Sequence, residues 1–288
     1  MKGIILAGGS GTRLYPLSRV ITKHLLPIYD KPMIFYPLSV LMLAGIKDIM
    51  IISDPKDLSS FKDLLGNGKH LGISIEYKVQ QYPNGIAEAF IIAENFIGKD
   101  RVTLILGDNL FFGHNLSGIL TDIVKQKKPA MIFGYRVKDP KRFVIVEISS
   151  SNKILSIQEK PKQPKSNYAV VGLYMYNNEV VKIAKKIKKS KRGELEITDI
   201  NKFYLKKNQL KVKLFGRGFA WLDAGTFDSL LEASSFVQTI ESRQGNKIAC
   251  LEEIAYKNNW ISKKKLLSFS KSNFNLEYQN YIKNIINE

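Results

Sequence analysis

The sequence predicts a three-layer, doubly wound α/β fold with a mostly parallel central sheet and a helical appendage at its C-terminal end. Three observations carry that prediction. Through the first half of the chain, apolar runs of strand length alternate with segments of helical period. Those runs are apolar at successive positions, the pattern of strands buried on both faces, which parallel sheets with right-handed crossovers produce. After Thr226 the helical period dominates.

Taken in order, KGIILAG at the start is a strand, a helix follows from about Pro32, and DIMIIS (48–53) is the next strand. DLSSFKDLL then reads as a helix, ISIEYKV (73–79) as a strand, GIAEAFIIAENFIG (85–98) as a helix and RVTLILGD (101–108) as a strand. Past Pro129 the pattern shifts toward strands, in AMIFGYRV, FVIVEIS, KILSIQEK and YAVVGLYMYN, with short turns between them. Helices return at about 178–188 and 195–207, and LKVKLF and FAWLD are strand-like. SLLEASSFVQTIESR and NLEYQNYIKNII have helical period. We therefore expect an α/β core over residues 1–235, in two parts that meet near 128/129, and a helical appendage over 236–288.

At 288 residues, with 44% hydrophobic and 24% charged residues, the chain can bury a sizeable core. One cysteine, Cys250, excludes an internal disulfide and fits a buried side chain in a reducing compartment. The apolar start, Ile4 to Ala7, is too short for a signal peptide and is soon followed by Arg13. The longest apolar stretch, PMIFYPLSVLMLAGI (32–46), is shorter than a membrane span and contains Pro37, so it reads as a buried helix and the protein as cytoplasmic. The net charge is +18, from 44 basic and 26 acidic residues. Its lysine clusters, such as KIAKKIKKSKR (182–192), occupy polar positions of amphipathic patterns and lack interleaved stacking aromatics. They read as a solvated surface that steers small anions, and neither nucleic acid nor membrane is expected as a partner.

The stretch IILAGGSGTRL (4–14) ends a buried strand in three glycines and an arginine, at the sheet edge where ligands gather. A dinucleotide fingerprint from Gly9 needs Gly or Ala where Leu14 stands, and a P-loop needs Gly-Lys-Ser/Thr, whereas Gly11 precedes Thr12 and Arg13. What remains is a nest of backbone N–H groups closed by an arginine fork, suited to a polyphosphate. Glycine turns after strands also serve simply to reverse the chain.

GGSGTRLYPLS followed by TKHLLPIYDKPMIFYPL resembles the sugar-1-phosphate nucleotidyltransferases, whose signature is G-G-x-G-T-R-L and then K-x-L-L-P. VQQYPNGIAEAF, LGDNLFFGH, IQEKPKQPKSNYAVVGLYMY, RGELEITD and GRGFAWLDAGT match further family blocks in order, over residues 1 to about 256, with the thymidylyltransferase pattern the nearest. The resemblance implies a Rossmann-like three-layer nucleotidyltransferase fold, a nucleotide part over about 1–128 and a sugar part over about 129–235. It also implies dTTP and glucose 1-phosphate as substrates, Mg²⁺ as cofactor, dTDP-glucose and pyrophosphate as products feeding dTDP-rhamnose-type biosynthesis, a homotetramer, and feedback by a downstream dTDP-sugar at a separate site.

The chemistry accounts for the residues that the resemblance picks out. A phosphomonoester with a second pKa of about 6 arrives largely dianionic, so its oxygen attacks the α-phosphorus without a general base. Catalysis then consists of holding two anions together and stabilising the transferring charge. The resemblance assigns Arg13 to the triphosphate, Lys23 to a place between the phosphates, and Lys160 to the sugar phosphate, with Arg192 as a second candidate. Leu6, Gly8, Gly9, Gly11 and Thr12 belong to the nucleotide loop, and Gln80 and Gly85 to the base. Asn109, Val144, Glu159, Val170 and Tyr174 surround the sugar. The same resemblance makes Asp108 and Asp223, each ending an apolar strand, the Mg²⁺ ligands, a number that suits a metal that otherwise keeps water and phosphate oxygens.

The chain departs from the family in DPKRFVIVE (139–147), where the usual tyrosine and glycine are Phe143 and Val144. His24 stands where glutamine is common, and Ala224 where threonine is. The added methyls of Val144 narrow the sugar pocket. Two other readings stay open at this point: the same chemistry with UTP or another hexose 1-phosphate, and a catalytically weak subunit that binds nucleotide sugars and regulates.

Overall fold

The computed structural model describes residues 1–9, 11–271 and 275–287. In chain order its strands are β1 (Lys2–Ala7), β2 (Pro27–Ile28), β3 (Lys31–Pro32), β4 (Asp48–Ser53), β5 (Ser74–Val79), β6 (Val102–Leu106) and β7 (Asn109–Gly113). They continue with β8 (Ala130–Arg136), β9 (Ile145–Ile148), β10 (Ile154–Gln158), β11 (Tyr168–Tyr176), β12 (Leu210–Phe215) and β13 (Phe219–Asp223). The central sheet runs β5–β4–β1–β6–β11–β8–β12. Pairing is parallel from β5 through β6 and between β8 and β12, and β11 alone runs against its neighbours in that row.

Alternation within the parallel strands builds the three layers. Ile5, Ile49, Ile51 and Ile105 point to one face, where they pack with Leu38, Leu41 and Met42 of the helix Phe35–Leu43 and with Phe61 and Leu120. Ile4, Leu6, Met50, Ile52 and Leu104 point to the other, against Phe90, Val180, Ile200 and Tyr204. Both faces are covered by helices, so the central strands are apolar at nearly every position, Thr103 being a buried exception. The doubly wound α/β reading of the sequence is the observed architecture.

Register then sets the site. Ala7 pairs with Ser53, Ser53 with Val79, and Leu6 with Leu106, so four parallel strands end level at one edge. β11 approaches that edge from outside: Leu173–Tyr176 pair with β6, while Tyr168–Val170 reach past it to pair with β8, and Ala169 with Ile145 of β9. The overhang and the β9–β10 pair wall a cleft above the edge.

Several local expectations are corrected. The helix expected over 85–98 is two short helices, Glu88–Ile92 and Glu94–Ile97, because Gly85 has φ +104 and Ala93 leaves helical geometry. The helix after Pro32 begins at Phe35, since Lys31 and Pro32 are taken up in β3. β7, which the sequence pattern did not mark, follows Asp108 directly and pairs antiparallel with β13, aligning Asn109 with Asp223.

The helix Phe227–Gln244 is continuous through residue 235, begins at a Thr226–Ser229 capping box and ends at left-handed Gly245. Its Ala233 and Val237 pack with Ile28, Met33 and Tyr36. Beyond it, Leu251, Ile254 and Ala255 join the core of the first sheet face, and Cys250, Leu266, Ile282 and Ile285 form a small cluster of their own. Among the described residues no helix is long and apolar enough to cross a membrane.

Candidate active site

The glycine loop leaves β1 in a geometry that needs glycine. Gly11 sits at φ +59, and a Cβ there would lie 3.0 Å from Ser18 Cβ. The turn Thr12–Leu14 follows, with Leu14 fully buried as its anchor. Arg13 reaches across to the other end of the cleft, where its Nη2 lies 3.0 Å from the point a Cβ on Gly225 would occupy. It makes no hydrogen bond or ion pair among the described residues.

Lys23 opens a further turn, Lys23–Leu25, which is held by buried His24 and Leu26. Its Nζ donates to Asp108 Oδ2 at 2.5 Å, and the other carboxylate oxygen of Asp108 accepts from Asn109 Nδ2 at 2.8 Å. Burial opposes charge on Asp108, but the Lys23 ammonium and the donors outweigh it and hold the carboxyl well below the usual range. Burial and then the Lys23 charge also push His24 down, to about 3 against the pull of Asp108, so its imidazole is neutral. His24 Nδ1 lies 3.3 Å from Thr22 Oγ1, and its ring fills the space a Cβ on Gly107 would take, with Cδ2 only 2.6 Å from that point.

Asp223 arrives from the far side on β13. Ala224 N–H donates to the Asp108 carbonyl at 3.0 Å, which locks the two aspartates' segments together. Burial, and then the charge of Asp108, raise the Asp223 pKa, while Arg142 and Arg13 pull against them. Two carboxylates converging on one cleft, one firmly ionised and the other uneasy beside it, form a donor pair that a hard dication would relieve. Asp108 and Asp223 thus fit a bound Mg²⁺.

A cavity of about 240 Å³ joins these groups. It is lined by Arg13, Asp108 and Asp223 and by all seven residues expected around the sugar: Asn109, Val144, Glu159, Lys160, Val170, Tyr174 and Arg192. Their conditions differ. Lys160, at φ +38, has no partner among the described residues. Arg192, by contrast, is committed: it donates to Glu196 at 3.0 and 3.2 Å and to Glu194 at 3.2 Å, and lies 3.7 Å from Glu159. Glu159 in turn accepts from Thr198 Oγ1 at 2.5 Å.

Asn109 is a tie: its Oδ1 accepts from Trp221 Nε1 at 2.6 Å and from Gly172 N–H at 3.1 Å. Val170 N–H is used by the Val144 carbonyl at 2.8 Å, and Tyr174 is buried against Tyr176.

Leu6, Gly8, Gly9, Gly11, Thr12, Lys23, Gln80 and Gly85 lie outside this cavity, around the loop and the adjoining strand ends. Gln80 donates through Nε2 to Glu88 at 2.7 Å and to the Gly85 carbonyl at 3.3 Å. Its donor is therefore taken, and Oε1 is the atom left to read a base. Gly85 is required for a reason unrelated to ligand: a Cβ there would fall 2.5 Å from the Leu195 carbonyl oxygen.

The sequence reading missed Trp221 and Arg142, both of which line the cavity. Trp221 stacks edge-on with Phe143, centroids 5.2 Å apart. The signal was present: on a strand, 221 and 223 share a face, so a residue two before Asp223 looks into the same cleft.

Residues 2–240 match the sequence model of the nucleotidyl transferase family. The chain belongs to that family. This nucleotidyl transferase is 55% identical, over 98% of both chains, to a glucose-1-phosphate thymidylyltransferase of Neisseria meningitidis. It is 51% identical to one of Mycobacterium tuberculosis, also over 98% of both. A Bacillus anthracis structure assigned as a glucose-1-phosphate thymidylyltransferase, solved with sucrose, superposes with a TM-score of 0.76 at 44% identity, covering 82% of this chain and 94% of that one. UDP-glucose pyrophosphorylase shares the fold at 24% identity, with a TM-score of 0.73 over 83% of this chain and 98% of its own.

Proposed function

We propose that the protein is a glucose-1-phosphate thymidylyltransferase, converting dTTP and glucose 1-phosphate to dTDP-glucose and pyrophosphate. The observation that carries this is a single cleft lined by two aspartates, Asp108 and Asp223, and by two cations, Arg13 and Lys160, that have no hydrogen-bond or ion-pair partner among the described residues. Its support is the near-complete match to relatives bearing that name.

In this reading, residues 1–128 bind the nucleotide and 129–235 the sugar phosphate. The dianionic sugar phosphate is held by Lys160, and its oxygen attacks the α-phosphorus in line, already deprotonated. Arg13 and the loop N–H groups take the β- and γ-phosphates and the charge that builds as pyrophosphate leaves. Lys23, bridged to Asp108, stands between the two substrates. Asp108 and Asp223 hold Mg²⁺, which supplies positive charge at the phosphate oxygens. Glu159, steadied by Thr198 and Arg192, accepts from sugar hydroxyls, and Gln80 Oε1 accepts the N3–H of thymine. An assembly of four copies and feedback by a dTDP-sugar belong to the same reading, supported by the resemblance of the sequence blocks.

One observation favours a second sugar. Val144 lines the cavity and packs against the apolar cluster of the second sheet face, an environment that suits an analogue lacking a hydroxyl there. A panel of dTTP and UTP against glucose 1-phosphate and its deoxy analogues, read by pyrophosphate release, tests the proposal. The highest kcat/KM with dTTP and glucose 1-phosphate, abolished by chelator and restored by Mg²⁺, is expected. Tight dTTP binding with no pyrophosphate from any pair would replace catalysis with a regulatory binding role.

A further inference from the structure

Beyond the residues that the motifs single out, one carboxylate stands between the base-reading and phosphate-holding groups. The register pairs Ala7 with Ser53 and Ser53 with Val79, and Gln80 N–H donates to the Ser53 carbonyl at 2.9 Å. Gly8, Asp54 and Gln80 are therefore the first residues past three adjacent strand ends, set in a row along the ligand edge. A Cβ on Gly8 would lie 3.2 Å from Gln80 Oε1 and 3.3 Å from Asp54 Oδ1. Because Gly8 has none, both acceptors flank an open strip of backbone.

We propose that Asp54 is a binding residue of the nucleotide site, its carboxylate accepting a hydrogen bond from the 3′-hydroxyl of the nucleoside triphosphate. The inference rests on the nucleotidyl-transfer reading above and deepens it. A nucleotide is connected base to sugar to phosphate; with the base at Gln80 and the phosphates on the loop from Gly9 to Arg13, the sugar must cross Gly8, beside Asp54. A carboxylate repels phosphate but is the ordinary acceptor for sugar hydroxyls at the carboxyl edge of such sheets. Asp54 has capacity to spare. Its one side-chain hydrogen bond among the described residues is a long one, from Gly9 N–H to Oδ1 at 3.4 Å, and an ionised carboxylate has about four acceptor positions.

The test is equilibrium binding, without any sugar phosphate, of dTTP and of 2′,3′-dideoxythymidine triphosphate, which lacks the 3′-hydroxyl. The wild type should prefer dTTP by about tenfold or more, as for a hydrogen bond to a charged group. Asp54→Ala should reduce that preference to within about twofold, and Asp54→Asn, which keeps an uncharged acceptor, should retain about half of its free energy. Should Asp54→Ala not fold, Asp54→Asn decides alone, an undiminished preference overturning the proposal. A wild type that binds both triphosphates equally, a wild type that binds neither, or an Asp54→Ala protein as selective as its parent also overturns it. Pyrophosphate release by the wild type separates the two readings. Selective binding without turnover removes the catalytic proposal and leaves Asp54 in place, whereas turnover without selectivity removes only Asp54.

Discussion

Replacing Asn109 with Ala tests whether the cleft is held together by one amide. Asn109 is 3% exposed, and its side chain makes three hydrogen bonds: to Trp221 on β13, to Gly172 on β11, and to the neighbouring Asp108 carboxylate. β11 passes so close that a Cβ on Gly172 would lie 2.7 Å from Asn109 Oδ1.

The Ala variant leaves the Gly172 and Trp221 donors unpaired at a buried junction. Each unpaired donor costs about 1–3 kcal/mol, and Trp221, being partly exposed, sits at the low end. We expect a loss of about 2–4 kcal/mol in unfolding free energy, measured by urea denaturation. Asp108 also loses a donor that fixes its carboxylate, so kcat should fall while the KM for dTTP changes little. Asn109→Asp sharpens the test: it keeps both accepting contacts but places a second carboxylate beside Asp108, so it should be more stable than Asn109→Ala yet no more active. If Asn109→Ala unfolds within about 0.5 kcal/mol of the parent, the junction is held by packing and the reasoning fails.

Three further predictions bear on the site. Asp108→Ala and Asp223→Ala should each lower pyrophosphate release about a hundredfold or more at saturating Mg²⁺, and near-normal rates would remove that residue from the metal role. Val144→Gly should lower the KM for glucose 1-phosphate by about fivefold, near the lower bound of relieved overpacking, with the KM for dTTP unchanged; a rise would mean that the valine is accommodated. His24 supplies a pH test. Its folded pKa of about 3 lies below the usual 6.5, so between those values the unfolded chain binds a proton that the folded chain does not. Stability present above pH 6.5 is therefore lost as the pH falls toward 3, at up to about 1.4 kcal/mol per pH unit. His24→Gln should flatten the curve by that slope, and an unchanged slope would mean that His24 is not held neutral by the fold.

Much of the architecture was legible because burial on both faces leaves a plain mark. Ile4 and Ile5, or Ile51 and Ile52, are apolar neighbours that point to opposite helical layers, and a strand with one solvated face does not produce such pairs. Short elements were less legible. β7 carries LFFG, too brief for periodicity to distinguish it from the loop after Asp108, and its partner β13 lies more than a hundred residues away. The break at Ala93 leaves no breaker residue to read, since alanine is the best helix former and the interruption is imposed by tertiary packing.

The amino-acid sequence by itself determined which residues exist to do the chemistry: a glycine loop that neither dinucleotide nor P-loop geometry explains, an arginine and lysines in ordered blocks, and two aspartates ending apolar strands. These are local facts, since strand ends and glycine turns are properties of a few consecutive residues. Tertiary structure decided what each group is free to do. Lys160 and Arg192 look alike in the chain, but three carboxylates, one of them in the same EK pair as Lys160, gather around Arg192, and among the described residues none pairs with Lys160. Gln80 offers a donor and an acceptor on paper, and Glu88 takes the donor. Asp54 carried no motif at all and was placed beside Gly8 only by the register of β1 against β4. Availability depends on what else fills the space around a side chain, and strand pairing across the whole chain sets that.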